Sequence, residues 1–272
     1  MKHPLRLFLL SLIMCVLLAA CGSSSNTGST PTANSPVTLN VFAAASLTEA
    51  FNEVASTYHQ AHPNVSIKLV YNGSQILEQQ IANGAPADVF ASADTINMQK
   101  ASRAGLVGTS QIFAKNRLVV ILPTSNPAKI TSLKDLARKG VKIDIEASTV
   151  PAGKYSRQAL ANLSKSPDYG SNYASEVLAN VVSQEDNVKA VVQKVELGEA
   201  DSGFVYITDA YSAQGKVTVI DIPDPYNVIA EYPIAVVKNS VHASDAQAFV
   251  NFVLSSTGQG ILKKYQFIPV NG

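Results

Sequence analysis

From Val37 onward, short apolar runs alternate with amphipathic segments of helical period, and this alternation constrains the fold more than any other feature. Val37 to Ala44 (VTLNVFAA) has no helical spacing and reads as a buried strand, whereas Leu47, Ala50, Phe51, Val54 and Tyr58 recur at helical intervals. Val65 to Tyr71 alternates as a strand. Ser74 to Asn83 reads as a helix that Gly84 closes, Asp88 to Ser92 as a strand, and Thr95 to Ala104 as a helix that Gly105 closes. The pattern repeats with strands at Arg117–Leu122 and Lys142–Glu146 and helices at Ser132–Lys139, Ala152–Leu163 and Asn187–Leu197. Strands at Gly203–Tyr206, Val217–Ile220 and Tyr232–Val237 and a helix at Ser244–Ser255 follow, while Val177–Val182 fits either element. Strands joined through helices predict an α/β fold, a mainly parallel sheet covered on both faces.

The first 36 residues obey other rules. Lys2 and Arg6 precede an apolar run, Leu7 to Ala20, broken only by Ser11. This run of about 14 residues has the form of a secretory signal peptide and is short for a membrane span. It ends in Leu18-Ala19-Ala20-Cys21-Gly22, which resembles the bacterial lipobox, in which cleavage precedes a Cys that becomes lipidated. Residues 1–20 are therefore expected to be a signal peptide. Residues 21–36 would be a lipidated Cys21 followed by a disordered Ser/Thr/Gly/Pro linker that has no large apolar residue with which to fold. The chain holds only two Cys, so the mature protein would have neither a free thiol nor a disulfide. Loss of Lys2 and Arg6 leaves 19 basic against 20 acidic residues. A nearly neutral chain is not a dedicated nucleic-acid binder, and two Cys with four His make no Cys-rich zinc site.

The chemistry sits at the strand-to-helix turns. Ser46 and Glu49 have capping-box spacing, Gly73-Ser74 opens a second helix, Val150-Pro151-Ala152-Gly153 a third, and Glu185-Asp186-Asn187-Val188 a fourth. Helix starts expose backbone N–H groups and a partial positive charge, which together suit an anion. In open α/β sheets such turns surround the ligand. A Ser at a helix start is most often only a cap, so spacing alone points weakly to an anion.

Val41-Phe42-Ala43-Ala44-Ala45-Ser46-Leu47-Thr48, Gly73-Ser74, Gly84-Ala85-Pro86-Ala87-Asp88-Val89-Phe90, Val150-Pro151-Ala152-Gly153, Gly203-Phe204-Val205-Tyr206 and Glu231-Tyr232-Pro233-Ile234 occur in that order. Together they resemble bacterial molybdate-binding proteins, the solute receptors of molybdate ABC transporters, from about Val37 to Pro269. The resemblance implies a two-lobed periplasmic-binding-protein fold with the ligand in the interlobe cleft. Lobe 1 would span residues 37–116 plus 231–272 and lobe 2 residues 117–230. It further implies that Ser46 and Ser74 give hydroxyl and backbone N–H donors, Ala152 and Val188 backbone N–H donors, and Tyr206 its phenol.

Asn187 is the alternative to Val188, and Gln75 departs from the small residue common in relatives. Lys154 is read as exposed. Glu146 or Asp209 would matter only in a related class that coordinates the metal through carboxylates, against which Tyr206 speaks. Molybdenum would thus be held as an oxyanion without direct metal ligands and without a cofactor. Tungstate should bind equally. Protonated phosphate is excluded by a shell of donors, and sulfate fits loosely.

The implied partners are a membrane permease and its ATPase. The implied location is the outer face of the cytoplasmic membrane, with the receptor monomeric. The competing readings are a receptor for sulfate, thiosulfate or phosphonate, and, from another class, a serine hydrolase. The hydrolase lacks a G-x-S-x-G elbow, and no motif surrounds His59, His62 or His242. Tyr169 and Tyr173 fit either packing or the rim of the cleft.

Overall fold

A computed structural model describes residues 35–270. The expected signal peptide and Cys21 lie outside the described residues. Strand β1 (Val37–Ala44) divides its side chains between two cores. Leu39, Val41 and Ala43 face one, and Phe42 faces the other. The first core is closed by α1 (Thr48–Ala61), α8 (Ala243–Leu254) and α9 (Ser256–Lys264), through Phe51, Tyr58, Phe249 and Leu262. The second is closed by α2 (Ser74–Ala82) and α3 (Thr95–Arg103), through Leu77, Ile81 and Met98. Both faces of β1 are therefore buried, which explains why it reads as an apolar run rather than an alternation.

The remaining strands are β2 (Val65–Asn72), β3 (Val89–Ala91), β4 (Gln111–Pro123), β5 (Ile143–Glu146), β6 (Val181–Glu185), β7 (Ser202–Tyr206), β8 (Val217–Asp221), β9 (Ile229–Val236) and β10 (Ile268–Pro269). The main path is β2-β1-β3-β9-β4-β7-β5-β6, with β8 and β10 also paired to β4. Helices α4 (Pro151–Leu163), α5 (Tyr173–Ala179), α6 (Val188–Glu196) and α7 (Ile207–Ser212) complete the β5 end.

The sheet is mixed. Parallel pairing holds at its two ends, β2-β1-β3 and β7-β5-β6. In the middle, β4 and β9 run antiparallel to their neighbours. The reason is topological: helical crossovers within each end enforce parallel neighbours, whereas β4 and β9 carry the chain between the ends. Asn116 pairs with Ala230 and Arg117 with Ile229 inside the β4–β9 ladder, so the two passages lie side by side.

Two further expectations change in detail. The ambiguous Val177–Val182 is divided, α5 ending at Ala179 and β6 beginning at Val181. Ala45–Leu47 forms a 3-10 turn before α1, so the Ser46–Glu49 capping box does not form. The Thr48 hydroxyl instead donates to the Ala45 carbonyl (2.7 Å), and Glu49 turns outward to Lys189.

Candidate functional site

The carboxyl ends of β1, β2, β5 and β7 and the start of α6 converge on one small cavity. Ser46, Ser74, Val188 and Tyr206 all line it, with Gly73, Asn187 and Glu146 among their neighbours. Of the five expected residues, Ala152 alone does not line it. Ala152 is fully buried behind Pro151, and its amide acts on the Glu146 carboxyl.

The donors are held ready by an outer layer. Asn116 Nδ2 donates to Thr208 Oγ1 (2.9 Å) and to the Tyr232 oxygen (3.4 Å). The Tyr232 hydroxyl lies 2.9 Å from Ser46 Oγ, a bond in which either group can donate. With Tyr232 as donor, the Ser46 proton is free for the cavity. Ser74 Oγ accepts the Ala93 N–H (2.9 Å), which likewise frees its proton. Asn187 is the N-cap of α6, its Oδ1 accepting the Ala190 N–H (3.2 Å), while Val188 supplies the first helical amide. Tyr206 is 1 % exposed, yet its hydroxyl has no hydrogen-bond partner. Burial pushes this phenol well above its ordinary range, so it stays a donor.

Gly73 allows the close approach of opposite walls, and Gly153 the tight packing of α4 on the end of β5. A Cβ on Gly73 would lie 2.2 Å from the Asp186 carbonyl oxygen, and one on Gly153 would lie 2.1 Å from that of Ala147. Gln75, the departure noted in the sequence, spans the same gap as Gly73, its Nε2 donating to Asp186 O (3.1 Å).

The charged groups are arranged differently from expectation. Lys154 is half-buried rather than exposed, and its charge favours the ionised form of the buried Asp94. Asp209 does not line the cavity; its Oδ2 accepts the Tyr206 backbone N–H (3.3 Å), and its Oδ1 lies 3.5 Å from Lys189 Nζ. Burial pushes Asp209 up to about 6, against the pull of Lys189. Glu146 does line the cavity. Burial raises its carboxyl to about 8, with Asp209 and Asp94 adding to the rise and the Gly153 and Ala152 amides opposing it.

Tyr169 and Tyr173 are packing residues. Their ring centroids lie 4.9 Å apart with the planes tilted by 56°, Tyr226 packs on Tyr169, and the Tyr173 hydroxyl donates to Leu133 O. Sequence reasoning missed Asn116, Thr208 and Tyr232, since nothing in their spacing separates them from ordinary strand and helix residues.

This donor-lined cavity belongs to a chain with known relatives. Residues 39–268 match the family described as bacterial extracellular solute-binding protein. The molybdate-binding protein ModA of Mycobacterium tuberculosis is 37 % identical over 264 residues, 95 % of each chain. That of Escherichia coli is 31 % identical over 84 % of this chain and 88 % of its own. The fold is shared with the sulfate-binding protein SubI of Mycobacterium tuberculosis (TM-score 0.77, 20 % identity, 86 % and 88 % of the two chains). The chain belongs to the bacterial extracellular solute-binding proteins, and within them it groups with the molybdate-binding proteins.

Proposed function

We propose that this protein captures molybdate, and tungstate with it, outside the cytoplasmic membrane and delivers it to an ABC importer made of a permease and an ATPase. The observation that carries the reading is the buried Tyr206 hydroxyl. It faces the same cavity as the Ser46 and Ser74 hydroxyls and the Val188 amide, and it has no partner within the protein. A tetrahedral dianion without its own proton satisfies all of these donors at once. Family membership and 37 % identity to a molybdate-binding protein support the choice of ion. A lipid on Cys21 and the linker to residue 36 would tether the receptor, after removal of residues 1–20, on the membrane's outer face. Lobes spanning 37–116 plus 231–272 and 117–230 would hinge at the adjacent passages of β4 and β9, with the closed monomer docking on the permease.

Thermal shift tests the ion. At a hundredfold excess over Kd, ligand adds about 2.7 kcal/mol, which in a domain of this size raises Tm by about 5–10 °C. Molybdate and tungstate should do so, and sulfate only at far higher concentration. Equal shifts for sulfate and molybdate would overturn the proposed selectivity. Loss of acyl labelling in Cys21→Ser tests the anchor, and unchanged labelling would refute it.

A further inference from the structure

Glu146 places a carboxyl in the wall of a cavity built from donors. It ends β5, is 4 % exposed, and lines the cavity with Ser46, Ser74 and Tyr206. Among the described residues no Lys or Arg forms an ion pair with it; the nearby Arg157 guanidinium donates to its backbone carbonyl instead (3.0 Å). The Gly153 N–H donates to Oε2 at 3.1 Å.

The Ala152 amide also favours its ionised form, but the charged groups around it add negative charge rather than compensating it. Asp209 of α7 and Asp94 at the start of α3 both disfavour its ionised form. Tyr206 and Tyr155 are neutral phenols. Lys154 of α4 acts on Asp94, Lys189 of α6 pairs with Glu49 and Asp209, and Glu185 on the neighbouring β6 is neutralised by Lys194 (2.5 Å). An ionised Glu146 would therefore confront a dianion with no cation between them. A neutral acid in the same place offers one more O–H donor.

We propose that Glu146 contacts the bound oxyanion as the neutral acid, with Oε2 accepting the Gly153 N–H and the other oxygen carrying a proton that it donates to the ligand. Binding then takes up a proton from solvent whenever Glu146 starts ionised. The position of its titration near 8 sets where this is felt: affinity is flat below about pH 7 and falls about tenfold between pH 7 and 9. Asp209, titrating near 6, lies below that window. Asp144 titrates near 7 but does not line the cavity, so its titration bears on stability and not on affinity.

The inference rests on the oxyanion-receptor reading, and calorimetry of the purified protein with sodium molybdate separates the two. Titrations at pH 6.5, 8 and 9, in buffers of different ionisation enthalpy, count protons. Uptake should be near zero at the lowest pH and approach one at the highest. Glu146→Gln, which can donate but not titrate, should bind within a few-fold of wild type at pH 7 and lose the slope between pH 7 and 9. Absence of uptake at pH 9, or a wild-type slope in the glutamine variant, would overturn the proposal. So would hydrogen phosphate binding as tightly as molybdate at pH 8.5, since that ion needs an ionised acceptor. If the variant fails to fold, the wild-type proton count decides alone. Failure of molybdate to bind at any pH would instead refute the receptor reading.

Discussion

Lys189 Nζ of α6 lies 2.8 and 3.0 Å from the two carboxylate oxygens of Glu49 on α1, and so ties the two ends of the sheet together beside the anion cavity. Its opposite contact is the buried Asp209, 3.5 Å away. Burial alone would lower the lysine's affinity for its proton, but Asp209 and Glu49 outweigh it. The Glu49 and Lys189 side chains are 37 % and 31 % exposed, so water and salt screen the pair, and it should be worth about 0.2–1 kcal/mol. In a double-mutant cycle of Glu49→Gln and Lys189→Met, molybdate affinity should show coupling of at most about fivefold. The coupling should shrink at about 0.5 M salt, where the screening length falls well below 10 Å. Zero coupling at low salt would mean that the contact does not help hold the bound form.

Gly73 makes a sharper test of closure. Its backbone, φ −60° and ψ 140°, is open to any residue, so Gly73→Ala adds no conformational strain. The added methyl would nevertheless lie 2.2 Å from Asp186 O on the opposite wall. If the free protein opens, its melting temperature should be unchanged while molybdate affinity drops more than tenfold. A large loss of thermal stability without ligand would show instead that the walls stay closed in the free state.

Tyr206→Phe separates binding from stability. The phenol oxygen is buried and makes no hydrogen bond, so its removal costs the free protein nothing and relieves a desolvated group. The variant should melt at or slightly above the wild-type temperature and bind molybdate at least tenfold more weakly. Unchanged affinity would remove Tyr206 from the site.

Ser46→Ala with Ser74→Ala removes two hydroxyls of the cavity wall, one bonded to the Tyr232 hydroxyl and one accepting the Ala93 N–H. Each Ser is itself a partner of a buried group, so this variant should lose some thermal stability as well as affinity. The decisive measurement is calorimetry on folded protein, where wild-type affinity would contradict the assignment.

How far the sequence carries depends on where period and burial agree. From β1 to α3 each element is long enough to show its period, and prediction and structure match within a residue or two. α7 escapes notice because it follows β7 without a loop and has only six residues, fewer than two turns. The first half of β4 is hidden because polar Gln111, Lys115 and Asn116 interrupt it and a register shift falls between Ile112 and Ala114. α9 and β10 carry too few apolar positions in regular spacing to stand out. The resemblance pointed to Ser46, Ser74, Ala152, Val188 and Tyr206, of which all but Ala152 line the cavity. Asn116 and Tyr232 act through pairings 116 and 186 residues apart in the chain, and no local pattern encodes these.

Stability should fall as pH rises from mildly acidic to mildly basic, the reverse of ordinary acid denaturation. Burial pushes Asp144 up to about 7, with Glu185 adding to the rise and Lys194 opposing it, while Glu146 reaches about 8 and Asp209 about 6. In the unfolded chain such groups titrate near 4. Between about pH 4 and 8 the folded protein therefore holds more protons than the unfolded one, and stability declines with pH across that window. Glu53 and Asp135, whose ionised forms are favoured by Lys264 and by the Thr131 amide respectively, lose their contribution only as pH falls below about 4, outside the window. Melting temperature without ligand should thus drop from pH 5.5 to 8.5. Asp144 lies away from the cavity, fully buried with both carboxyl oxygens unpartnered, so Asp144→Asn should flatten the curve without altering molybdate affinity. A melting temperature that holds constant or rises over this range would show that these carboxyls ionise in the folded protein as readily as in the unfolded chain.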